Sequence, residues 1–253
     1  MIIAGADEAG RGAVIGPMVL AGVSVDSKDS KKLKAIGVKD SKELTPKKRE
    51  ELFKLIESIA KNVVVVKVSA CKISSFKAKG INLDKVEAMK IAEIISMIDA
   101  DKIYIDSIEQ NSEKFEKTIR EFLPEDKKNV KLVVKNYLDE SVPVVSAASI
   151  IAKVERDREI EEIKKQVNFD FGVGYSHDER TRAFIEKILQ TEEQPPSYLR
   201  IHWETVQDIA RKLLDENKKV KKWVFEQVLG ETSWQRKIKD FFTKKFIGGK
   251  DDS

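Results

Sequence analysis

The order of apolar and polar residues predicts alternating strands and helices along most of the chain. Short runs rich in β-branched residues indicate strands, because such side chains pack well on a sheet. Segments in which apolar residues recur at every third or fourth position indicate helices. The predicted strands are residues 2–7, 14–25, 63–68, 102–106 and 130–134. A first helix is predicted from Pro46, with Thr45 as its N-cap, and further helices over residues 82–97, 112–123, 144–167, 181–189, 202–214 and 219–229.

The order of these elements predicts the architecture of the sheet. The second strand, which Gly16 and Pro17 interrupt, follows the first so tightly that the two should be antiparallel. Helices then alternate with three more strands, which predicts an α/β fold: a mixed five-stranded sheet flanked by helices, with a C-terminal helical extension. Residues 28–39 are polar and predict a loop. The small residues from Ser146 to Ala152 predict a helix that packs closely on the sheet, and the helix from Pro46 is expected to bury Leu52, Leu55, Ile56 and Ile59.

Composition limits the class of protein. The 253 residues include one cysteine, Cys71, and two histidines, so an intrachain disulfide is excluded and a zinc site of the usual kind is not expected. There is no signal peptide and no apolar run of about 18 residues, which predicts a soluble cytoplasmic protein without a membrane segment. The net charge is +4, and from Arg211 onwards 12 Lys and Arg face 7 Asp and Glu. A basic extension on a body with acidic clusters favours a nucleic-acid enzyme.

The first predicted strand leads into two adjacent acids and a glycine-rich turn, in the run Asp-Glu-Ala-Gly-Arg-Gly from Asp7 to Gly12. Successive strand residues point to opposite faces, so Asp7 and Glu8 can share one face only if the chain bends there. Gly10 and Gly12 permit that bend, and they also let the main chain approach a sugar or phosphate closely. Taken alone, this pair of acids is more often part of a surface hairpin.

Two more predicted strands end at or near acids, Asp106 and Asp139. Ligands bind at strand ends in α/β sheets, so we expect four carboxylates to gather at one edge of the sheet. Such carboxylates repel one another, and a hard divalent cation, Mg²⁺ or Mn²⁺, relieves this repulsion. Two such ions can hold the attacking and leaving oxygens of a phosphodiester. The sequence therefore predicts a metal site suited to phosphodiester chemistry.

The motifs taken together resemble the ribonuclease HII family, the type 2 ribonucleases H, in its archaeal form. Each motif alone is weak, but the whole set in this order is highly specific. The set consists of Asp7 to Gly12, Asp40-Ser41-Lys42, Tyr104-Ile105-Asp106, Ser146 to Lys153 with Arg156-Asp157, and Gly172 to Tyr175.

The resemblance implies a fold, a domain organisation and an activity. It implies a ribonuclease H-like catalytic domain over residues 1–205, a helical extension over 206–230 and a tail over 231–253. The implied enzyme is an endonuclease that cleaves the RNA strand of RNA–DNA hybrids. It also cuts on the 5′ side of single ribonucleotides embedded in duplex DNA, with two Mg²⁺ or Mn²⁺ ions, and leaves 3′-hydroxyl and 5′-phosphate ends. The family further implies a monomer.

The family's site residues can be matched to positions of this chain. Its metal-binding and catalytic acids correspond to Asp7, Glu8, Asp106 and Asp139. Its turn that reads the ribose 2′-hydroxyl, mainly through the backbone, corresponds to Gly10-Arg11-Gly12. That hydroxyl is the group by which a protein distinguishes RNA from DNA.

Three further side chains correspond to substrate contacts in the family. Tyr175 matches the tyrosine that stacks on the deoxyribose at the RNA-to-DNA junction, and Lys42 and Lys153 match phosphate contacts. For each of them the alternative is an ordinary surface or core side chain without a role in binding.

Departures from the family's pattern leave alternatives open. The last acid usually follows a small residue, whereas Leu138 precedes Asp139 here, so Glu140 is an alternative ligand. After Tyr175 the family often has proline, whereas this chain has Ser176 and then His177, which is either a bystander or a proton shuttle. The alternative functions are a catalytically silent hybrid-binding protein, against which the intact acids argue, and a resolvase-like nuclease, which would lack the glycine turn and the tyrosine.

The tail carries a motif of its own, in which Gln235, Ile238, Phe241 and Phe242 read Gln-x-x-Ile-x-x-Phe-Phe. This spacing resembles the box by which replication and repair enzymes bind the sliding clamp, PCNA. Ile238, Phe241 and Phe242 would fall together on one helical turn and form an apolar plug for a groove. The alternative is an amphipathic helix that folds back on the body of the protein.

Overall fold

The structure, a computed structural model, describes residues 1–38, 41, 44–107 and 111–230 of the chain. The strands are β1 (Ile2–Ala9), β2 (Met18–Asp26), β3 (Asn62–Val68), β4 (Lys102–Asp106) and β5 (Lys131–Lys135). The helices are α1 (Ser30–Ile36), α2 (Pro46–Ile59), α3 (Ala70–Ala78), α4 (Leu83–Met97), α5 (Ser112–Phe122), α6 (Leu138–Ser141), α7 (Pro143–Val167), α8 (Glu179–Thr191) and α9 (Glu204–Asp215). Single 3₁₀ turns occur at Ser27–Asp29 and Glu125–Lys127, and a π-helical turn at Val224–Val228.

The strands form one mixed sheet in the order β3-β2-β1-β4-β5. β2 is antiparallel to both β1 and β3, whereas β4 is parallel to both β1 and β5. This arrangement confirms the predicted five-stranded mixed sheet and its tight antiparallel first pair. Ala6 of β1 lies opposite Ile105 of β4, so the acids that follow these residues, Asp7 and Asp106, reach the same edge of the sheet.

Helices cover both faces of the sheet. One core packs α4 and α5 against the face that carries Ala4 and Ala6 of β1. A second core packs α1, α2 and α7 against the face that carries Ile3. Gly5 lies directly against α7, because a Cβ atom there would stand 2.5 Å from the carbonyl carbon and oxygen of Val144. The small residues of α7 thus allow the close helix–sheet packing that the sequence predicts, and this contact brings α7 over the end of β1.

A third core joins this body to the C-terminal helices. α8, α9 and the π-helical turn pack against Val14 and Ile15, which follow β1 in the chain. Ile15 also forms an isolated β-bridge with Leu199. The predicted domain boundary at residue 205 falls in the first turn of α9 and stays a prediction. Within the described ranges no helix has both the length and the apolar character that a membrane crossing requires.

Several local predictions are wrong. Residues 28–39 contain α1 instead of a loop, because Leu33 is buried against the sheet and Gly37 ends the helix with a φ of 88°. The sequence pattern also does not predict α3 or α6. In α2, Leu55 is 43% exposed and Phe53 lies in the core instead. β2 begins only at Met18, and the predicted helix over residues 219–229 is reduced to the π-helical turn and the residues just before it.

Candidate active site

Asp7 and Glu8 lie inside β1, which continues without interruption to Ala9. Asp7 lies opposite Ala21 of β2 and Glu8 opposite Leu20, so both acids are in regular strand register. Their side chains therefore point to opposite faces of the sheet. The predicted bend between them is wrong, because the chain turns only after Ala9.

Asp7 is buried on the face that α7 covers, where the Ser149 side chain forms a hydrogen bond with its carboxylate. The Oδ1 atom of Asp7 also accepts a hydrogen bond of 2.8 Å from the amide of Glu8. Burial is the main cause that raises the pKa of Asp7 to about 7, and the negative charges of Asp106 and Asp139 add to it, although the bond with Ser149 opposes them. Three of the predicted acids therefore interact at one edge of the sheet.

Asp106 and Asp139 are connected through the start of α6. Oδ1 of Asp106, at the end of β4, accepts a hydrogen bond of 2.6 Å from the amide of Leu138. Tyr137, just before it, has a left-handed φ of 63°, and this turn places Asp139 in the first turn of α6. Asp139 is buried, whereas Glu140 is exposed. The structure thus brings Asp139, and not Glu140, into the electrostatic environment of Asp7.

Glu8 lies on the opposite face, beside Glu87, a buried carboxylate of α4. Burial, followed by the negative charges of Glu87 and Asp7, raises the pKa of Glu8 well above its ordinary value. The Arg11 guanidinium turns toward α4, where its Nε donates a hydrogen bond of 2.8 Å to Glu87 and its Nη2 contacts Asp84. Sequence reasoning misses Glu87, and the available signal is an acid on the otherwise apolar face of α4.

Within the described residues, no group of three or more His, Cys, Asp or Glu side chains has the geometry of a ready-made metal centre. One oxygen of each of two acids is engaged by the backbone, since Oδ1 of Asp7 and Oδ1 of Asp106 accept hydrogen bonds from the amides of Glu8 and Leu138. The donor set nevertheless fits a hard divalent cation. Asp7, Asp106 and Asp139 offer only oxygen atoms, and a cation relieves both the burial of the Asp7 charge and the repulsion from Asp106 and Asp139 that together raise its pKa.

A buried arginine, Arg200, holds the Gly10-Arg11-Gly12 turn. Its guanidinium donates hydrogen bonds to the carbonyl groups of Gly10 (2.6 Å), Arg11 (2.6 Å) and Gly16 (3.1 Å). Gly10, with a φ of 78°, has no room for a side chain, because a Cβ atom would lie 2.7 Å from the Pro17 carbonyl oxygen. Burial, with a smaller effect of Arg156, lowers the pKa of Arg200 to about 9. Sequence reasoning misses Arg200, because its hydrogen-bond partners lie at least 184 residues away in the chain.

The loop that carries Tyr175 is attached to the same turn. The carbonyl oxygen of Gly174 accepts hydrogen bonds of 2.8 Å and 3.1 Å from the amides of Val14 and Ile15. The Tyr175 ring lies over the guanidinium of Arg156, with 4.7 Å between the guanidinium carbon and the ring centroid. The ring of His177 stacks on that of Tyr175 at a centroid distance of 5.6 Å, and its role as bystander or proton shuttle stays open.

Of the remaining predicted site residues, the structure describes Lys153 but not Lys42 or the clamp-binding box. Lys153 of α7 forms an ion pair of 2.6 Å with Asp157, and burial lowers its pKa. Lys42 and the four residues of the clamp-binding box lie outside the described residues, so their roles stay predictions: Gln235, Ile238, Phe241 and Phe242.

Known proteins are similar to this chain in fold and in sequence. The family model of ribonuclease HII matches residues 4–206. Ribonuclease HII from Methanosarcina acetivorans is 38% identical over 224 residues, which cover 87% of this chain and all of the relative. The crystal structure of ribonuclease H2 from Pyrococcus horikoshii superposes with a TM-score of 0.77 at 37% identity, over 85% of this chain and 99% of the other. A solved complex of PCNA with RNase HII from Archaeoglobus fulgidus has a TM-score of 0.72 at 37% identity, over 81% and 96% of the two chains.

The mixed sheet with acids at its edge and a glycine-rich turn beside them is that of a ribonuclease H-like enzyme. The chain belongs to the ribonuclease HII family. Archaeal members of this family are 38% to 42% identical to it over most of its length. It is therefore a hydrolase, an endonuclease with ribonuclease activity on RNA–DNA hybrids. Enzymes of the ribonuclease H family use divalent metal ions.

Proposed function

We propose that the enzyme, besides cleaving hybrids, cuts duplex DNA on the 5′ side of a single embedded ribonucleotide and leaves 3′-hydroxyl and 5′-phosphate ends. One observation carries this proposal: the loop of Tyr175 is hydrogen-bonded through Gly174 to the residues that follow the Gly10-Arg11-Gly12 turn. A group that recognises a ribose and a group that recognises the next sugar would need such a fixed spacing.

Asp7, Asp106 and Asp139, which interact at one edge of the sheet, would hold divalent ions, Mg²⁺ or Mn²⁺. The proposal of two ions keeps Glu8 as the fourth ligand, although its side chain lies on the other face beside Glu87. When bound, the ions supply positive charge at the scissile phosphate and an activated water molecule. The chain itself orients the carboxylates: Ser149 and the Glu8 amide hold Asp7, and the Leu138 amide holds Asp106.

Recognition of the 2′-hydroxyl is assigned to the backbone of the Gly10-Arg11-Gly12 turn. The Arg11 side chain is engaged with Glu87 and Asp84 on α4, which leaves the main chain as the better candidate for this contact. Arg200 supports this role, because its hydrogen bonds to the Gly10 and Arg11 carbonyls fix the position of the turn.

Tyr175 would stack on the deoxyribose after the ribonucleotide, and Lys42 and Lys153 would contact phosphates. Arg156 under the tyrosine ring supports such a role, since it fixes the orientation of the ring in the absence of substrate.

The test of this function uses a labelled DNA duplex that holds one ribonucleotide, incubated with Mg²⁺ or with excess EDTA. We expect cleavage at the ribonucleotide only with the metal. Binding of the duplex without cleavage in any divalent metal would favour the alternative, a catalytically silent hybrid-binding protein.

The tail supplies a second proposal, binding to the sliding clamp through Gln235, Ile238, Phe241 and Phe242. The solved neighbour from Archaeoglobus fulgidus forms a complex with PCNA, which favours the same kind of partner for this chain. A peptide of residues 231–250 should bind the cognate clamp with a dissociation constant in the micromolar range, about 8 kcal/mol of binding free energy.

The variant Phe241→Ala with Phe242→Ala in the full chain should lose clamp binding in calorimetry, because it removes the apolar plug. Phe246→Ala, an aromatic change outside the box, is the matched control and should bind like the parent. Hybrid cleavage without clamp should be the same for all three proteins. Equal binding by the double variant and the parent would show that the tail does not bind the clamp through this box.

A further inference from the structure

Four of the charged side chains that line a cleft of about 530 Å³ between α2, α7 and residues 172–173 are connected by ion pairs. Three are cations, Arg49, Lys153 and Arg156, and the fourth is the carboxylate of Asp157. Asp157 contacts all three, because its Oδ2 lies 3.0 Å from Nη2 of Arg49, and its Oδ1 lies 2.6 Å from Nζ of Lys153 and 3.3 Å from Nη1 of Arg156. One carboxylate therefore connects three cations.

Arg49 connects Asp157 to the segment around Ser41. Arg49 is buried, and its Nη1 donates hydrogen bonds of 3.0 Å to the carbonyl of Ser41 and 2.6 Å to that of Leu44. In the sequence, Ser41 directly precedes Lys42, to which we assign a phosphate contact. The positions of the Ser41 and Leu44 carbonyl groups thus depend on the direction in which the Arg49 guanidinium points.

Ser41 also connects this segment to the acids of the site. Its hydroxyl oxygen lies 3.0 Å from that of Ser149, and Ser149 in turn forms a hydrogen bond with Asp7. A displacement of Ser41 would therefore change the support of Asp7 as well.

Arg156 connects Asp157 to the loop of Tyr175. Arg156 is only 1% exposed, so protein groups and not water determine its orientation. Its Nη2 donates a hydrogen bond to the carbonyl of Val173, and its guanidinium lies against the Tyr175 ring. The ion pair with Asp157, 3.3 Å between Nη1 and Oδ1, places a carboxylate beside this buried guanidinium.

We propose that Asp157 is a positioning residue that holds Ser41, Lys153 and the Tyr175 loop in the arrangement that receives a ribonucleotide-containing strand. This inference rests on the proposed function, since it uses the substrate contacts assigned to Tyr175 and Lys153. Asp157 acts through Arg49, Lys153 and Arg156. Three cations at such short distances repel one another, and the carboxylate between them allows them to stay together.

Simple electrostatics and positioning predict opposite results when the charge of Asp157 is removed. If the carboxylate only repelled the phosphates of the substrate, its loss would add a positive charge to the cleft and strengthen binding of any nucleic acid. If Asp157 positions the substrate-binding groups, its loss disorders them, and cleavage at a single ribonucleotide falls although binding of plain duplex DNA does not.

The test compares Asp157→Asn with Glu155→Gln in the full chain. Glu155 is a matched control, because it is also a carboxylate of α7 between two cations, 2.8 Å from Lys67 and 2.6 Å from Arg158. Among the residues that the structure describes, it forms no ion pair or hydrogen bond with Ser41, Lys153 or the Tyr175 loop. For Asp157→Asn we expect kcat/KM at a single ribonucleotide to fall about tenfold, since misplaced binding groups cost at least this much. The dissociation constant for an all-DNA duplex should stay equal or fall.

Glu155→Gln should change neither quantity, and the melting temperature of each variant, measured in the same buffer, separates loss of folding from loss of function.

The double variant Asp157→Asn with Tyr175→Ala decides whether Asp157 acts through the tyrosine loop. We expect its loss of kcat/KM to be smaller than the product of the two single losses, because coupled residues are not additive, although the contacts of Asp157 with Arg49 and Lys153 still make it slower than Tyr175→Ala alone.

The inference is overturned if Asp157→Asn cleaves like the parent or like Glu155→Gln, if it cleaves faster, or if its effect multiplies with that of Tyr175→Ala. These outcomes are distinct from failure of the proposed function, which shows in the parent enzyme as absence of cleavage at the single ribonucleotide.

Discussion

Asp7→Asn should lower cleavage of an RNA–DNA hybrid at least about a thousandfold, equivalent to roughly 4 kcal/mol of transition-state stabilisation. Asp7 is buried, its pKa is raised to about 7, and it shares its environment with Asp106 and Asp139. An amide in its place keeps the shape and the contact with Ser149 but removes the charge that a divalent ion needs. The measurement is the single-turnover rate at saturating Mg²⁺.

The same substitution should stabilise the protein in EDTA, by about 1 kcal/mol in the free energy of unfolding, because it removes a buried charge that its neighbours repel. Asp99→Asn is the matched control, since Asp99 is a fully exposed acid whose ion pair with Lys127 is of the weak surface type. It should leave the rate and the stability unchanged. Parent-like turnover of Asp7→Asn would show that Asp7 is not a metal-binding residue.

Tyr175→Ala should lower cleavage at an isolated ribonucleotide about tenfold or more, the effect expected from the loss of one stacking contact. Long hybrids should be less affected, because only the isolated ribonucleotide always presents an RNA-to-DNA step to the ring. The measurement is the ratio of kcat/KM on the two substrates, both present at the same concentration and salt.

Tyr175→Phe is the control for this prediction, because it retains the ring over Arg156 and removes only the hydroxyl group. It should keep the parent's ratio of rates on the two substrates. An equal loss on both substrates for Tyr175→Ala would reject the junction-reading role and leave the tyrosine as a structural support of its loop.

Local sequence patterns were sufficient to predict the sheet. β-branched runs identify the five strands, and the short connection between the first two determines that they are antiparallel. Because acids follow neighbouring parallel strands, the register between Ala6 and Ile105 brings Asp7 close to Asp106, as predicted. The predicted bend at Glu8 was wrong, because β1 keeps its pairing with β2 up to Ala9.

Contacts between distant parts of the chain were not predictable in this way. Arg200 supports the glycine turn from 190 residues further along the chain, and Asp157 connects α7 to Arg49 of α2. Arg200 has no local signal that separates it from an ordinary surface charge, whereas Asp157 belongs to the motif set, but nothing local indicates its contact with Arg49. Glu87 is the intermediate case, because a buried acid on an apolar helix face needs a partner, but only the structure identifies Arg11 as that partner.

The most direct test of the proposed function is to map the products of cleavage on a DNA duplex that contains one ribonucleotide. With Mg²⁺, we expect a single nick on the 5′ side of the ribonucleotide, with a 3′-hydroxyl on one fragment and a 5′-phosphate on the other. The all-DNA duplex and the EDTA reaction should remain uncut. A nick on the 3′ side, cleavage of the all-DNA duplex at a similar rate, or activity in EDTA would contradict the proposed recognition of the ribose by the turn and the role of the four acids.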